Sequence, residues 1–271
     1  MSIPWLEQDS PLPPAESAQK IGSSLAGLVA ASGDLSTQRL REAYSQGIFP
    51  WYSDGQPVLW WSPDPRMVLK PADFKLHRSL RKTLHNFTQD PTCEIRVDTA
   101  FAQVIANCAS SVRRGQVGTW IVSDMIEAYC ALHDAGHAHS IETWIDGKLV
   151  GGLYCVALGR AFFGESMFSH QSDASKIALA ALVAFARAQG VDWIDCQQNT
   201  RHLASLGGRE IPRSDFLAQL RRTDKTSILE WRFDSAFWSR VACDSKWRDY
   251  CLRRLVVGDC LLRHYCDVYS K

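Results

Sequence analysis

Three polar residues stand inside otherwise apolar stretches between positions 150 and 213. Glu165 follows two phenylalanines and a glycine, and Asp195 and Gln197 lie two residues apart at the end of an apolar run. A carboxylate among aromatic side chains loses hydration, so its pKa should rise unless a cation or a hydrogen-bond donor meets it. Strand alternation puts Asp195 and Gln197 on one face, where the carboxylate can hold the Gln197 amide and direct the amide oxygen.

These residue types suit acyl transfer to an amine. Direct attack by a substrate amine on an activated ester needs no protein nucleophile, and its main demands are positioning and a proton acceptor. No Ser–His–Asp or Cys–His pairing has comparable local support in the sequence. We therefore expect Asp195 to orient Gln197, Gln197 to accept a proton from the attacking amine, and Glu165 to help hold an ammonium group.

The elements that must carry these residues follow the order strand, turn, strand, loop, helix, strand, helix. Apolar runs at 149–158 and 161–168 are separated by Gly159-Arg160, which predicts a hairpin, and Asp146-Gly147 predicts another in front of it. A long apolar helix is predicted over 174–189, ended by Gly190, and a third strand over 191–196. This order is typical of the half-sheet of an N-acyltransferase.

Composition limits the class of protein. The 271 residues suffice for one large domain or for a small domain docked on a medium one. The net charge is +1, so an RNA partner would need a local basic patch. Nine Cys without a CxxC pair, no signal peptide and no apolar span of about 18 residues favour a cytoplasmic chain with reduced thiols and no membrane partner.

Three histidines close in sequence, His133, His137 and His139, raise the question of a metal site. Their spacing straddles the end of a predicted helix and the start of a strand, and no Cys or carboxylate stands at ligand distance in the sequence. We therefore expect no metal ion and no cofactor.

Residues 47–69 crowd five aromatic side chains, Trp51 among them, into an irregular segment with four prolines. The segment is interpreted either as a hydrophobic plug between two lobes or as a wall that stacks a base or a ribose. Arg66 follows it and suits a phosphate. A basic helix carries Arg78 and Lys82, and a basic loop carries Arg113. Each is interpreted either as a solvent-exposed surface or as a surface that binds the phosphates of an RNA.

Two other functions remain open on the residues alone. An acyl-CoA-dependent N-acetyltransferase would normally present a glycine-rich turn before the long helix, but residues 170–176 contain no glycine and carry Asp173, which disfavours CoA. The second is a non-catalytic tRNA-binding module that uses the aromatic and basic segments.

The chain resembles the leucyl/phenylalanyl-tRNA–protein transferase family across residues 3 to about 222. The resemblance is carried by GDLS (33–36), AYSQGIFPWY (43–52), WWSPDPR (60–66), GTWI (118–121), AYCALHDAGHAHSIETW (128–144), LVGGLYCVALGRAFFGESMFS (149–169), ASKIAL (174–179), IDCQ (194–197) and HLASLGGREIPR (202–213).

The resemblance implies an α/β (α+β) fold, with a small N-terminal α/β domain at 1–70, a GNAT-like acyltransferase domain with a mixed sheet at 71–222, and a C-terminal extension at 223–271. It implies transfer of Leu or Phe, less readily Met, from aminoacyl-tRNA to proteins that begin with Arg or Lys. The added residue marks such proteins for degradation by the N-end rule.

The family's functional residues carry over to this chain as expectations. The catalytic pair carries over as Asp195 and Gln197; Glu165 carries over in the pocket lining, and its place among apolar residues adds it to the catalytic group. Leu153, where a Met is familiar, Gly164, Met167, Phe162 and Phe168 line the aminoacyl pocket, and Trp51 and Trp120 lie beside the terminal adenosine. The candidate tRNA contacts come from the basic segments of the sequence and not from the family: Arg66, Arg78, Lys82 and Arg113, with Lys75, Arg81 and Arg114 beside them.

Overall fold

The computed structural model describes residues 3–111 and 121–241 of the chain. The helices are α1 (Thr37–Ser45), α2 (Arg78–Gln89), α3 (Phe101–Ser110), α4 (Ser123–Asp134), α5 (Ala174–Ala188), α6 (Arg201–Ser205) and α7 (Arg213–Arg222). The strands are β1 (Trp5–Leu6), β2 (Leu28–Ser32), β3 (Phe49–Pro50), β4 (Val58–Trp61), β5 (Arg66–Leu69), β6 (Cys93–Val97), β7 (Ala138–Ile145), β8 (Lys148–Leu158), β9 (Ala161–Ser169), β10 (Ile194–Asp195) and β11 (Arg209–Ile211).

The strands form two mixed sheets, as the predicted fold class requires. The smaller sheet has the order β1-β2-β4-β3, and the larger has the order β11-β5-β10-β9-β8-β7-β6. Strand β2 is buried along its whole length, which explains its unbroken run of small and apolar residues. The buried Trp60 of β4 donates its indole N–H to Ser32 Oγ of β2 at 2.9 Å, so the aromatic segment is anchored within this sheet.

Strand β5 corrects the predicted division of the chain. Residues 66–69 fall in the region expected to be the N-terminal domain, but β5 pairs antiparallel with both β10 and β11 of the larger sheet. The chain therefore enters the larger sheet before residue 70. A short apolar strand gives no signal of which sheet it joins, because that choice depends on partners more than 120 residues away.

Both predicted hairpins are confirmed. Asp146 and Gly147 have φ values of 50° and 69°, as a type I′ turn requires, and join β7 to β8. Gly159 has a φ of 56° at the turn between β8 and β9. A side chain at Gly159 would meet the backbone of residues 224–225, so the turn also serves as a docking point for the segment after α7.

The connection between β9 and β10 creates the opening in which the site lies. Helix α5 covers the sheet with eleven buried side chains and returns the chain so that β10 runs parallel to β9. The two strands pair only at Phe162 with Ile194 and at Phe163 with Asp195. Beyond Asp195 the chain keeps its hydrogen bonds to β5, through Cys196 N to Met67 O at 2.9 Å, and no longer pairs with β9. Within residues 3–111 and 121–241, β9 therefore continues without a paired strand on this side, and a gap opens.

The first part of the C-terminal extension packs against the larger sheet. Trp231 stacks on the ring of His139 at 3.8 Å, and lies 5.2 Å from Phe162 and 4.8 Å from Phe185. Residues 242–271 of the predicted extension lie outside the described residues. Among the helices that are described, none has the length and apolar character needed to cross a membrane.

Candidate active site

A cavity of about 390 Å³ occupies the gap between β9 and β10. Its wall is contributed by both sheets, by α5 and by α6, and is largely apolar. The lining residues are Phe49, Pro50, Trp51, Leu153, Tyr154, Gly164, Glu165, Ser166, Met167, Leu179, Leu182, Ile194, Cys196, Gln197, Gln198, Thr200, His202 and Leu203.

Glu165 reaches this cavity because of a β-bulge. In the β8–β9 ladder Tyr154 pairs with Ser166 and Cys155 pairs with Gly164, so Glu165 is an extra residue without a partner across the strand. A bulge re-aims a side chain and bends the strand locally. The bulge thereby brings the Glu165 carboxylate to the cavity lining.

The Glu165 carboxylate accepts hydrogen bonds from two donors, and a second phenol stands behind one of them. Gln197 Nε2 donates to Glu165 Oε1 at 3.0 Å, and Tyr129 Oη donates to Glu165 Oε2 at 3.4 Å. Tyr44 Oη makes a short hydrogen bond with Tyr129 Oη, and because Tyr129 gives its single proton to the carboxylate, Tyr44 is the donor in this bond. Helices α1 and α4 thus supply two fully buried phenols to one acid.

Burial raises the pKa of Glu165 to about 8, because the carboxylate loses hydration. The linked phenols of Tyr44 and Tyr129 lower the pKa of Glu165, the nearby charge of Asp195 raises it further, and Arg66 lowers it. Burial also raises the pKa of both tyrosines well above the usual range, so that both phenols stay protonated and remain donors. The direction of this shift is the one expected for a carboxylate among aromatic side chains, although two hydrogen-bond donors meet it.

Arg66 is buried and paired with a carboxylate, contrary to the expectation of a phosphate contact from sequence. Its side chain is fully buried, with Nε 2.8 Å from Asp195 Oδ1, Nη2 2.6 Å from Oδ2 and Nη1 3.1 Å from the carbonyl oxygen of Gly47. Phe49 and Phe216 cover the guanidinium at 5.0 and 4.5 Å. A bidentate pair of this kind saturates the cation.

The predicted contact between Asp195 and the side chain of Gln197 is also wrong in detail. Asp195 Oδ1 accepts the backbone N–H of Gln197 at 3.0 Å, while the side-chain amide donates to Glu165. Gln197 has a φ of 55°, so the chain leaves the strand here and simple alternation no longer applies. Asp195 therefore fixes the backbone of Gln197, and Glu165 fixes its side chain.

The residues proposed for an aminoacyl pocket do not all reach the cavity. Leu153, Gly164 and Met167 line it, but Phe162 and Phe168 do not. Phe162 lies in the core beside Phe185 of α5, and the Phe168 ring lies 5.0 Å from that of His170. Sequence reasoning also missed apolar wall residues on α5, β10 and α6, because an apolar side chain in a helix or strand gives no sign of lining a cavity: Leu179, Leu182, Ile194 and Leu203.

The candidate tRNA residues are placed only in part. Trp51 lines the cavity and its ring lies 5.9 Å from that of Trp61, whose indole N–H donates to Trp51 O at 2.7 Å. Arg78 and Lys82 are exposed on α2, whose opposite face is buried through Leu80, Leu84, Phe87 and Thr88. Trp120, Arg113 and Arg114 lie outside the described residues.

Asp98 joins His133 and His139 in a cluster that the sequence did not reveal. Their ligand atoms lie within 4.8 Å of one another, and Asp98 comes from the turn after β6 rather than from a position near the histidines in sequence. His139 Nδ1 lies 2.7 Å from Asp98 Oδ2, and His133 Nδ1 lies 2.7 Å from the carbonyl oxygen of Ala138. Hydrogen bonds within the protein therefore account for these ring nitrogens.

Comparison with known proteins identifies the same family that the motifs suggest. Residues 68–221 match the family model described as leucyl/phenylalanyl-tRNA protein transferase, and residues 33–64 match the model of its N-terminal domain. A leucyl/phenylalanyl-tRNA–protein transferase of Polaromonas sp. (strain JS666 / ATCC BAA-500) is 58% identical over 244 residues, which cover 90% of this chain and 96% of that protein. A leucyl/phenylalanyl-tRNA–protein transferase of Burkholderia pseudomallei (strain 668) is 60% identical over 232 residues, which cover 86% of this chain and 91% of that protein.

Two solved structures were also matched at low identity. A conserved protein of unknown function from Bacteroides thetaiotaomicron VPI-5482 has a TM-score of 0.35 and 14% identity, over 52% of this chain and 53% of that one. The C-terminal domain of a putative lysylphosphatidylglycerol synthetase from Agrobacterium fabrum has a TM-score of 0.33 and 15% identity, over 65% and 57% of the two chains.

Proposed function

The chain belongs to the leucyl/phenylalanyl-tRNA protein transferase family and is an aminoacyltransferase, and we propose that its cavity takes the Leu or Phe side chain of an aminoacyl-tRNA. The amino acid passes to the α-amine of a protein that begins with Arg or Lys, and it marks that protein for N-end-rule degradation. Because charged tRNA is a cytoplasmic substrate, we propose a cytoplasmic location.

One observation supports this proposal above the others: the gap between β9 and β10 combines apolar walls with the hydrogen-bonded pair Glu165 and Gln197. Apolar walls suit the side chain of Leu, Phe or Met, and β-branched Ile or Val would press on the neck of the pocket. Such exclusion is worth about 1–3 kcal/mol per misplaced methylene. The carboxylate beside the pocket suits an incoming ammonium group.

A transfer assay tests the proposal. Labelled Leu, Phe, Met or Ile on its own tRNA is incubated with a peptide that begins with Arg and with a matched peptide that begins with Asp. We expect transfer of Leu and Phe, weaker transfer of Met, little of Ile, and none to the acidic peptide. Binding of uncharged tRNA without transfer would instead support the tRNA-binding module.

An acyl-CoA-dependent acetyltransferase is less well supported. Asp173 precedes α5 with a φ of 63° and pairs with Lys176 Nζ at 2.6 Å, so the lysine is already engaged at the helix start. An acidic side chain in this position opposes a pyrophosphate at the helix N-terminus. Calorimetry with acetyl-CoA is expected to detect no binding.

Gly164 offers a test of the aminoacyl pocket. A Cβ atom there would lie 3.7 Å from Asp195 O and from Ile194 Cγ2, which are ordinary contacts, so alanine fits. A Gly164→Leu side chain must extend into the cavity, and we expect roughly 10- to 100-fold slower Phe transfer because an overfilled site costs about 1–3 kcal/mol. Gly164→Ala is the matched control and should transfer Phe within a few-fold of the wild type, measured as kcat/KM; equal rates for both variants would argue against a side-chain pocket here.

The exposed basic face of α2 tests the tRNA contact. We expect the double variant Arg78→Glu, Lys82→Glu to raise the KM for aminoacyl-tRNA and to flatten its dependence on salt, because each lost phosphate contact lowers the salt slope by about one. Lys148→Glu, at the exposed β7–β8 turn, changes charge elsewhere and is the control. Equal KM values for the wild type and the double variant would exclude this face.

A further inference from the structure

We propose that Glu165 takes the proton of the acceptor's α-ammonium group during aminoacyl transfer, and that Tyr129 and Tyr44 are positioning residues for its carboxylate. The inference rests on the proposed function and names the group that makes the amine nucleophilic. It replaces the role expected for Gln197, since an amide that donates its N–H to a carboxylate is oriented by that carboxylate rather than acting as a base.

The choice of Glu165 follows from what the cavity offers. Asp195 is not among the lining residues, and both of its oxygens are engaged by Arg66. The thiol of Cys196 lines the cavity, but burial raises its pKa, so the thiolate is scarce. Among the lining residues, this leaves two proton acceptors, Glu165 and His202. Only Glu165 lies beside Gln197 at the point where the two strands separate.

The surroundings of Glu165 bring its pKa close to that of an N-terminal α-amine. The titratable or charged groups that face it are Tyr44 of α1, Tyr129 of α4, Arg66 of β5 and Asp195 of β10, with the neutral Gln197 beside them. Together they leave the pKa at about 8, because burial outweighs the phenol hydrogen bonds. An N-terminal α-amine has an ordinary pKa of about 7.7–8.0, so a proton moves between the two groups at little cost.

The step balances without any further reactant. One ammonium proton passes to the Glu165 carboxylate, and the freed lone pair of the nitrogen attacks the ester carbonyl carbon. The C–N bond forms, the bond from that carbon to the ribose oxygen breaks, and a second N–H proton goes to the leaving ribose oxygen. Glu165 returns its proton to water when the product leaves, so each transfer releases one proton. The phenols of Tyr129 and Tyr44 keep the carboxylate in place throughout.

The experiment compares pH profiles of single-turnover Phe transfer to an Arg-initial peptide. The wild-type rate should rise with pH to a plateau. Glu165→Gln should lower the plateau by roughly 100-fold or more, as the loss of general base catalysis does, with a smaller change in KM. Tyr129→Phe removes a hydrogen bond that lowers the pKa of Glu165, so it should shift the rising limb to higher pH and keep most of the plateau.

The pH profile of Tyr129→Phe shows whether the rate follows the titration of Glu165 or that of the acceptor amine. The acceptor amine titrates in the same pH range in every reaction, but its pKa in solution cannot change with residue 129. If the transfer rates of the wild type and Tyr129→Phe rise over the same pH range, the inference is wrong. It is also wrong if Glu165→Gln has an unchanged kcat and a raised KM. The inference is wrong as well if the rise of the transfer rate with pH disappears in His202→Gln but is unchanged in Glu165→Gln. In each of these cases the wild type still transfers Phe, so the proposed function stands.

Discussion

An Arg66→Met variant is expected to lose about 3–5 kcal/mol of unfolding free energy and most of its transfer activity. Methionine leaves the Asp195 carboxylate buried without its cation, and an unpaired buried charge is far more costly than the pair itself. The loss also frees the Gly47 carbonyl oxygen and uncovers Phe49 and Phe216. Urea unfolding measures the stability, and the transfer assay measures the activity.

Two further variants test whether the loss of stability comes from the unpaired charge of Asp195. Lys70 is an exposed cation one residue after β5, and its Nζ lies 4.3 Å from the Trp193 ring. Lys70→Met should lower the unfolding free energy by at most about 1 kcal/mol. The double variant Arg66→Met, Asp195→Leu removes both charges and should unfold later in urea than Arg66→Met alone. A single Arg66→Met variant as stable as the wild type would mean that Asp195 needs no partner.

Arg66 also shows where sequence reasoning reached its limit. An arginine after a run of tryptophans and prolines is typical of a surface phosphate site, but here its partner is Asp195, 129 residues further along the chain. Burial of an ion pair depends on which strands meet, and β5 pairs with β10 for reasons that neither strand displays alone. The sequence indicated that both residues were unusual without indicating that they contact each other.

The helices and hairpins, in contrast, were predictable because their signals are local. Asp146-Gly147 needs two positive φ values, and Ser36 caps α1 by accepting the backbone N–H of Arg39 at 3.2 Å. The buried face of α3 follows from apolar residues at three- and four-residue spacing. Each of these features is decided within about ten residues of chain.

The site lay between these two cases. Glu165 and Gln197 were recognised because polar residues in apolar runs are exceptional, and the structure brings the two side chains together. The bulge at Glu165 and the positive φ of Gln197 were not recognised, because each breaks the strand alternation on which the prediction relied. The two phenols were missed because a tyrosine on a buried helix face looks like any other core residue.

Stability is expected to fall as pH rises through the range set by Glu165, relative to a Glu165→Gln variant. In the unfolded chain the carboxyl has a pKa near its ordinary value of 4.5, and in the folded protein the pKa is about 8. Between these values the folded state retains a proton that the unfolded state has lost, so the folded state is penalised increasingly as pH rises. The difference in unfolding free energy should therefore grow from about pH 4.5 and level off above about pH 8, with an upper limit of about 5 kcal/mol.

Urea unfolding of both proteins across this pH range measures the difference, and Tyr129→Phe provides the cross-check. Removing a phenol that lowers the pKa of Glu165 should extend the fall in stability to higher pH. A constant difference between wild type and Glu165→Gln would mean that the carboxyl titrates alike in both states. If the fall is found, ionisation of Glu165 costs the folded chain stability as the pH rises through the neutral range. Groups whose pKa is shifted by burial at the expense of stability are typical of active sites, where the pKa of a proton acceptor must match its task.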